Sequence, residues 1–141
     1  MKQELVNDWM TRNVITITPA TTLREAHALM MNNRIRRLPV VDYGKIVGIV
    51  TLGDLRAAEP SAASSLSIWE MNDLLAKLKV DEIMTRNPGT IPQTASVGEA
   101  AQIMLEKKFS GLPVVDQEDK LVGIITESDI FRLVVTEWSK T

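Results

Sequence analysis

The chemistry available to this chain is concentrated in two copies of one short pattern. Thr51-x-x-Asp54 and Thr126-x-x-Asp129 each end an apolar run that reads as a buried strand, and each opens a stretch with helical spacing. A threonine followed three residues later by an acid is first of all a capping box, which satisfies two orphan N–H groups at a helix start. Three other such pairs, Thr22 with Glu25, Ser67 with Glu70 and Ser96 with Glu99, close with glutamate. The two that follow a strand close with aspartate. That shorter carboxylate reaches back to the cap less easily, yet it can accept two hydrogen bonds from a vicinal diol, as acidic residues do on ribose at nucleotide sites. Open N–H groups at a helix start, backed by the helix dipole, suit phosphate, and Thr51 and Thr126 add a hydroxyl. The residues alone leave both roles open, helix capping and nucleotide binding.

Other chemistries lack their parts. His27 is the one histidine and there is no cysteine, so metal sites, thiolate chemistry and disulfides are not expected. No serine has a base with an orienting partner, and the glycine-rich phosphate loops are absent. The run Arg34-Ile35-Arg36-Arg37 is short, and a net charge of −2 draws the surface to neither nucleic acid nor anionic membrane. No apolar run reaches the ~18 residues of a membrane span, and the first residues show no secretory h-region. These features fit a cytoplasmic protein without catalytic machinery, binding no nucleic acid and no membrane.

The elements that must position Asp54 and Asp129 come from a duplication. Met10-Thr11-Arg12-Asn13 recurs as Met84-Thr85-Arg86-Asn87, and Leu38-Pro39-Val40-Val41-Asp42 as Leu112-Pro113-Val114-Val115-Asp116, both at an offset of 74 (84 − 10). The glycine of GIVTLGD at Gly48 recurs at Gly123 in GIITESD, an offset of 75 (123 − 48), so the second copy has one extra residue in the turn at Gln117, Glu118 and Asp119. Such a repeat fixes the architecture before any local assignment. Each copy reads strand, helix, strand, turn, strand, helix. In the first, the β-branched Val14-Ile15-Thr16-Ile17 predicts a strand stopped by Pro19. A helix follows from Thr22 with Leu23, Ala26, Met30 and His27 at helical spacing, ending near Asn32 and Asn33. Tyr43-Gly44 predicts a tight turn between two buried strands. In the second, Thr90-Ile91 before Pro92 gives a weak first strand. The division is 1–56 for repeat 1, 57–79 for a linker with a short amphipathic helix, and 80–141 for repeat 2. The linker's first part is small and polar around Pro60; Leu66 and Met71 are spaced as a hydrophobic staple around the Ser67 cap. Its helix, with Trp69, Leu74, Leu75 and Leu78, either packs on its own lobe or reaches a partner subunit.

The repeat unit resembles a CBS domain, and the chain resembles a CBS domain pair, or Bateman module, over nearly all of residues 6–135. The likeness rests on motifs present twice and in order: Met-Thr, a β-branched strand before Pro, Leu-Pro-Val-Val-Asp, then Gly-x-x-Thr-x-x-Asp. It implies an α+β fold of two β-α-β-β-α repeats packed sheet to sheet about a pseudo-twofold axis, with two clefts. It implies an adenosine-containing ligand (AMP, ADP, ATP or S-adenosylmethionine) and no required cofactor. By position, Asp54 and Asp129 would hold ribose, Thr51 and Thr126 would approach the phosphates, and Thr16, Ile17, Thr90 and Ile91 would lie beside adenine. The departure lies before Leu-Pro-Val-Val-Asp, where the family often supplies cations to the pocket whose aspartate comes from the other repeat. Arg36 and Arg37 would then make the Asp129 pocket the stronger anion site, since a guanidinium fork matches two phosphate oxygens. The Asp54 pocket would see Ser110 and Gly111. Arg12 and Arg86 are further candidates for phosphate. The implied role is a stand-alone regulatory sensor, forming a disc-like homodimer and passing ligand state to a separate effector protein or to its own association. The alternative is a structural or interaction module whose clefts have no physiological ligand.

Overall fold

The computed structural model describes residues 3–59 and 65–140. In chain order the elements are α1 (Val6–Trp9), α2 (Leu23–Asn33), β1 (Arg37–Asp42), β2 (Lys45–Thr51), α3 (Leu52–Ala58), α4 (Ile68–Lys77), β3 (Thr85–Arg86), β4 (Ile91–Pro92), α5 (Val97–Lys107), β5 (Gly111–Val115), β6 (Leu121–Thr126) and α6 (Glu127–Ser139). The protein is mixed α/β with two three-stranded sheets, ordered β1-β2-β3 and β4-β5-β6. The stretch read as a linker is helical at Ala57 and Ala58, which close α3, and its residues 60–64 lie outside the described residues.

The chain packs as two compact units that cut across the repeats. One comprises Ile15–Pro88, the other Met1–Val14 with Gly89–Thr141. The lead-in of each repeat therefore completes the sheet of the other copy. Met84-Thr85 lies along β2, with Ile49 opposite Thr85, and Thr11 bridges Ile124 of β6 through a mutual pair of backbone hydrogen bonds. Gly48 and Gly123 explain why the motif needs glycine there. A Cβ on Gly123 would meet the Thr11 carbonyl oxygen at 2.8 Å, and one on Gly48 the Thr85 carbonyl at 3.0 Å, with methionine side chains against both. Asn13 and Asn87 adopt left-handed backbone (φ 55° and 49°) just before the chain passes from one unit to the next, a conformation asparagine tolerates better than most residues.

This crossing also corrects the first strand. Val14 belongs to one unit and Ile15 to the other, so the predicted strand over Val14, Ile15, Thr16 and Ile17 survives only as a bridge of Ile17 to Val40. Its counterpart, Ile91-Pro92, does form β4, parallel to β5.

The cores repeat with the sequence. Ile17, Leu23, Ala26, Met30, Leu38 and Val40 form one cluster, and 74 positions on (91 − 17) Ile91, Val97, Ala100, Met104, Leu112 and Val114 form the other. Each buried Val, Leu, Ile or Met side chain contributes ~1.5–3 kcal/mol, so the helical period of α2 and α5 follows from burial of one face. His27 is exposed and takes no part. Both helices start from a side-chain cap, Thr22 and Ser96, and end at a residue in left-handed conformation, Arg34 and Lys108. Between β1 and β2, Tyr43 and Gly44 both have positive φ, the two-residue turn that matches strand twist. The longer turn of the second copy is held by Asp116, whose carboxylate accepts from the Glu118 and Lys120 N–H groups.

The α4 helix is capped by Ser67 and packs within the first unit. Leu75 and Leu78 lie against the core cluster, and Arg24 of α2 donates to the Asn72 carbonyl at 2.6 Å. Ile68 and Trp69 at its start remain exposed.

Candidate functional site

Each Thr-x-x-Asp sits where an antiparallel strand turns directly into a helix, β2 into α3 and β6 into α6. The Thr51 N–H donates to Asp54 Oδ2 at 2.9 Å, and the Asp54 N–H donates to the Thr51 hydroxyl at 3.1 Å. That is a closed capping box, and it uses one carboxylate oxygen. The other oxygen of this half-buried side chain makes no hydrogen bond among the described residues.

The Asp129 corner is built differently. Thr126 N–H and its hydroxyl both bond Asp129 Oδ2, at 2.8 and 3.3 Å. Thr11, delivered by the lead-in, donates its hydroxyl to Oδ1 at 3.3 Å, and Arg132 one turn along α6 pairs with the same oxygen at 3.0 Å. Asp129 is 2% exposed and is the buried polar residue among the described ones, whereas the Arg132 side chain is 55% exposed. The guanidinium also donates to the Trp9 carbonyl at 3.1 Å and lies 5.8 Å from the Trp9 ring centroid, within cation–π range. A carboxylate offers about four acceptor positions; three hydrogen bonds take three of them here, and the Arg132 guanidinium lies against Oδ1 as an ion pair.

The remaining predicted residues divide between the units. Arg36 and Arg37 lie beside the Asp54 corner of their own unit: the Arg36 carbonyl accepts the Leu52 N–H at 2.8 Å, and Arg37 pairs with Thr51 across β1 and β2. Ser110 holds the matching place by the Asp129 corner, where its carbonyl accepts the Glu127 N–H at 3.1 Å and Gly111 pairs with Thr126. Ile17 and Ile91 are core residues, while their neighbours Thr16 and Thr90 are exposed. The first amides of α3 and α6 are thus spent on backbone carbonyls, which leaves fewer helix-start donors for a phosphate than the pattern promised. Arg12 and Arg86 are turned back on their own chain. Each donates to a carbonyl five residues earlier, of Asn7 at 2.9 Å and of Asp81 at 2.9 Å.

Sequence reasoning missed Arg132 and Thr11. Asp129 and Arg132 stand three apart on one helix face, a spacing at which opposite charges meet, so that pair was legible. The first copy has Ala57 at this place (132 − 75). The bond from Thr11 joins residues 118 apart and had no local signal. Among the described residues no group of three or more His, Asp or Glu is placed to hold a metal ion, and no helix is long and apolar enough to cross a membrane.

Comparison with known proteins agrees with the duplication. The CBS domain family model matches residues 6–61 and again 80–136. A CBS domain-containing protein of Dictyostelium discoideum is 39% identical over 132 residues, covering 93% of this chain and 91% of that one. The crystal structure of CBSX2 in complex with AMP, an Arabidopsis thaliana protein, superposes with a TM-score of 0.79 at 31% identity, covering 94% of this chain and 97% of that one. The CBS domain pair of protein MJ0100 in complex with 5′-methylthioadenosine and S-adenosyl-L-methionine gives 0.78 at 33%, covering 96% and 98%. Other curated relatives are longer, and the chain spans 47% of an uncharacterized protein of Methanocaldococcus jannaschii and 62% of a chloroplastic CBSX1 of Arabidopsis thaliana.

Proposed function

The chain belongs to the CBS domain family and carries the domain as a tandem pair; from that premise we propose that it is a regulatory module that binds an adenosine-containing ligand. The observation that carries this reading is the Asp54 corner. A half-buried carboxylate, fixed at a helix start through one oxygen, keeps the other for a ribose diol. Relatives that match over nearly the whole chain were crystallised with AMP or with S-adenosylmethionine and methylthioadenosine, which supports adenosine as the common element. The ligand contacts are assigned to Asp54 and Asp129 for ribose, to Thr51, Thr126, Arg36, Arg37 and Ser110 for the phosphate side, and to Thr16, Ile17, Thr90 and Ile91 for adenine.

A sensor must couple the ligand to a change of state, and a ligand shifts a balance only through its differential affinity for the two states. Self-association is the proposed output. On α6, Phe131, Val134, Val135 and Trp138 are exposed at helical spacing, an apolar stripe that supports a homodimer or an effector surface. The module is read as binding rather than catalytic, and as cytoplasmic. Titration calorimetry with AMP, ATP and S-adenosylmethionine tests the ligand, and native mass spectrometry with and without it tests the subunit count. Micromolar binding of at least one of the three is expected. Folded protein that gives no heat with any of them favours a purely structural module, and turnover of bound ATP would make it an enzyme.

A further inference from the structure

The two aspartates are not interchangeable acceptors. Asp54 has one hydrogen-bonded oxygen and no cation paired with it among the described residues. Asp129 accepts three hydrogen bonds, from Thr126 and Thr11, and is ion-paired with Arg132. A ribose diol needs acceptor positions, and at Asp129 the one that the hydrogen bonds leave is covered by the Arg132 guanidinium on Oδ1. Thr11 is held in place by a reciprocal pair of backbone bonds to Ile124, and Thr126 belongs to the strand itself. Arg132 is the donor free to leave. Its side chain is more than half exposed, it reaches the carboxylate from a helix surface, and its other contacts are one carbonyl and the face of Trp9.

We propose that Arg132 is a charge-selective latch on the Asp129 site, resting on the adenosine reading given above. In the absence of ligand the guanidinium occupies the carboxylate that the ribose requires. A ligand bearing phosphate draws the guanidinium off and pairs with it, so the ion pair is exchanged rather than lost. A neutral nucleoside gains no such partner and meets the whole cost of opening. The Asp129 site therefore discriminates AMP from adenosine, whereas the Asp54 site, with Ala57 in place of the arginine, has no latch of this kind. The expected discrimination is about tenfold, the size of one hydrogen bond to a charged group.

Trp9 is the built-in reporter, because the guanidinium lies over its ring. Replacing the exposed Trp69 and Trp138 by phenylalanine leaves it as the sole tryptophan of three. In that background AMP should change Trp9 emission at about tenfold lower concentration than adenosine does. Arg132→Met, which keeps the apolar stem but not the charge, should bring the two ligands within about threefold of one another. In the converse experiment, Ala57→Arg should weaken adenosine at the Asp54 site by about tenfold, read by calorimetry. An AMP preference that Arg132→Met leaves unchanged overturns the latch, as does weaker adenosine binding in that variant. So does calorimetric binding of AMP to the wild type with no response from Trp9. A wild type silent in calorimetry to both AMP and adenosine removes the adenosine reading itself, and the latch with it.

Discussion

At the start of α3 one carboxylate oxygen is open; at the start of α6 the matching carboxylate is buried, with both oxygens hydrogen-bonded and an arginine paired with one of them. The pattern Thr-x-x-Asp is the same in both, and so are the strand, the turn into the helix and the glycine three residues before the threonine. Of the differences between the copies, two reach the carboxylate: arginine at 132 against alanine at 57, and the hydroxyl of Thr11. The lesson is that a capping box sets where a carboxylate sits, while its neighbours decide whether it is available. Capping and ligand binding are not rival explanations for such an aspartate. One oxygen caps, and the neighbours decide what the other can accept.

That contrast can be broken by removing each carboxylate in turn. Asp54→Ala should lower adenosine affinity by about a hundredfold, roughly 2.7 kcal/mol, because the unlatched acceptor is gone. Its stability cost should be only ~1 kcal/mol, that of a lost helix cap. Asp129→Ala should reverse the order. It strands a buried Thr126 N–H and removes the partner of Arg132, and about 2–3 kcal/mol of stability should go, less than for a fully buried pair because the arginine can hydrate. Adenosine affinity should fall far less than in Asp54→Ala. Denaturant unfolding and calorimetry on the same two proteins measure both quantities. Equal effects on both scales would erase the distinction between the corners.

The glycines sharpen the comparison at the level of packing. Gly123→Ala pushes a Cβ to 2.8 Å from a backbone oxygen, against 3.0 Å for Gly48→Ala, and backbone yields less than a methionine side chain. Both should destabilise by ~1–3 kcal/mol, with Gly123→Ala the more costly. Thermal unfolding of the two variants decides, and a costlier Gly48→Ala would show that the methionine contact dominates. A smaller effect is expected from the apolar stripe of α6. Phe131→Ser with Trp138→Ser should leave monomer stability within about 0.5 kcal/mol, since both side chains are exposed, while weakening any self-association. Sedimentation of the variant against the wild type checks it, and an unchanged subunit count would remove α6 from the interface.

Much of this was legible in the chain. The duplication placed Asp54 and Asp129 at two helix starts, and the period of α2 and α5 marked Leu23, Ala26, Met30 and their counterparts as core. Local patterns carry such information because caps and helical faces depend on residues three or four apart. The exchange of lead-in segments was not legible, since nothing local says whether Met10 and Thr11 lie on the sheet of their own copy or of the other. That exchange shortened the first strand and brought Thr11 to Asp129. Trp69 and Trp138 illustrate a second limit: hydrophobic type alone does not separate a core position from a surface one, and both are exposed in the single chain.

The most direct test is a crystal structure of the protein with AMP, because the account stands on what the two carboxylates hold. It predicts the ribose hydroxyls within about 2.6–3.2 Å of Asp54 or Asp129, with Arg132 swung off the carboxylate wherever Asp129 is engaged. AMP bound with its ribose turned away from both aspartates, each still serving only its helix cap, would contradict it.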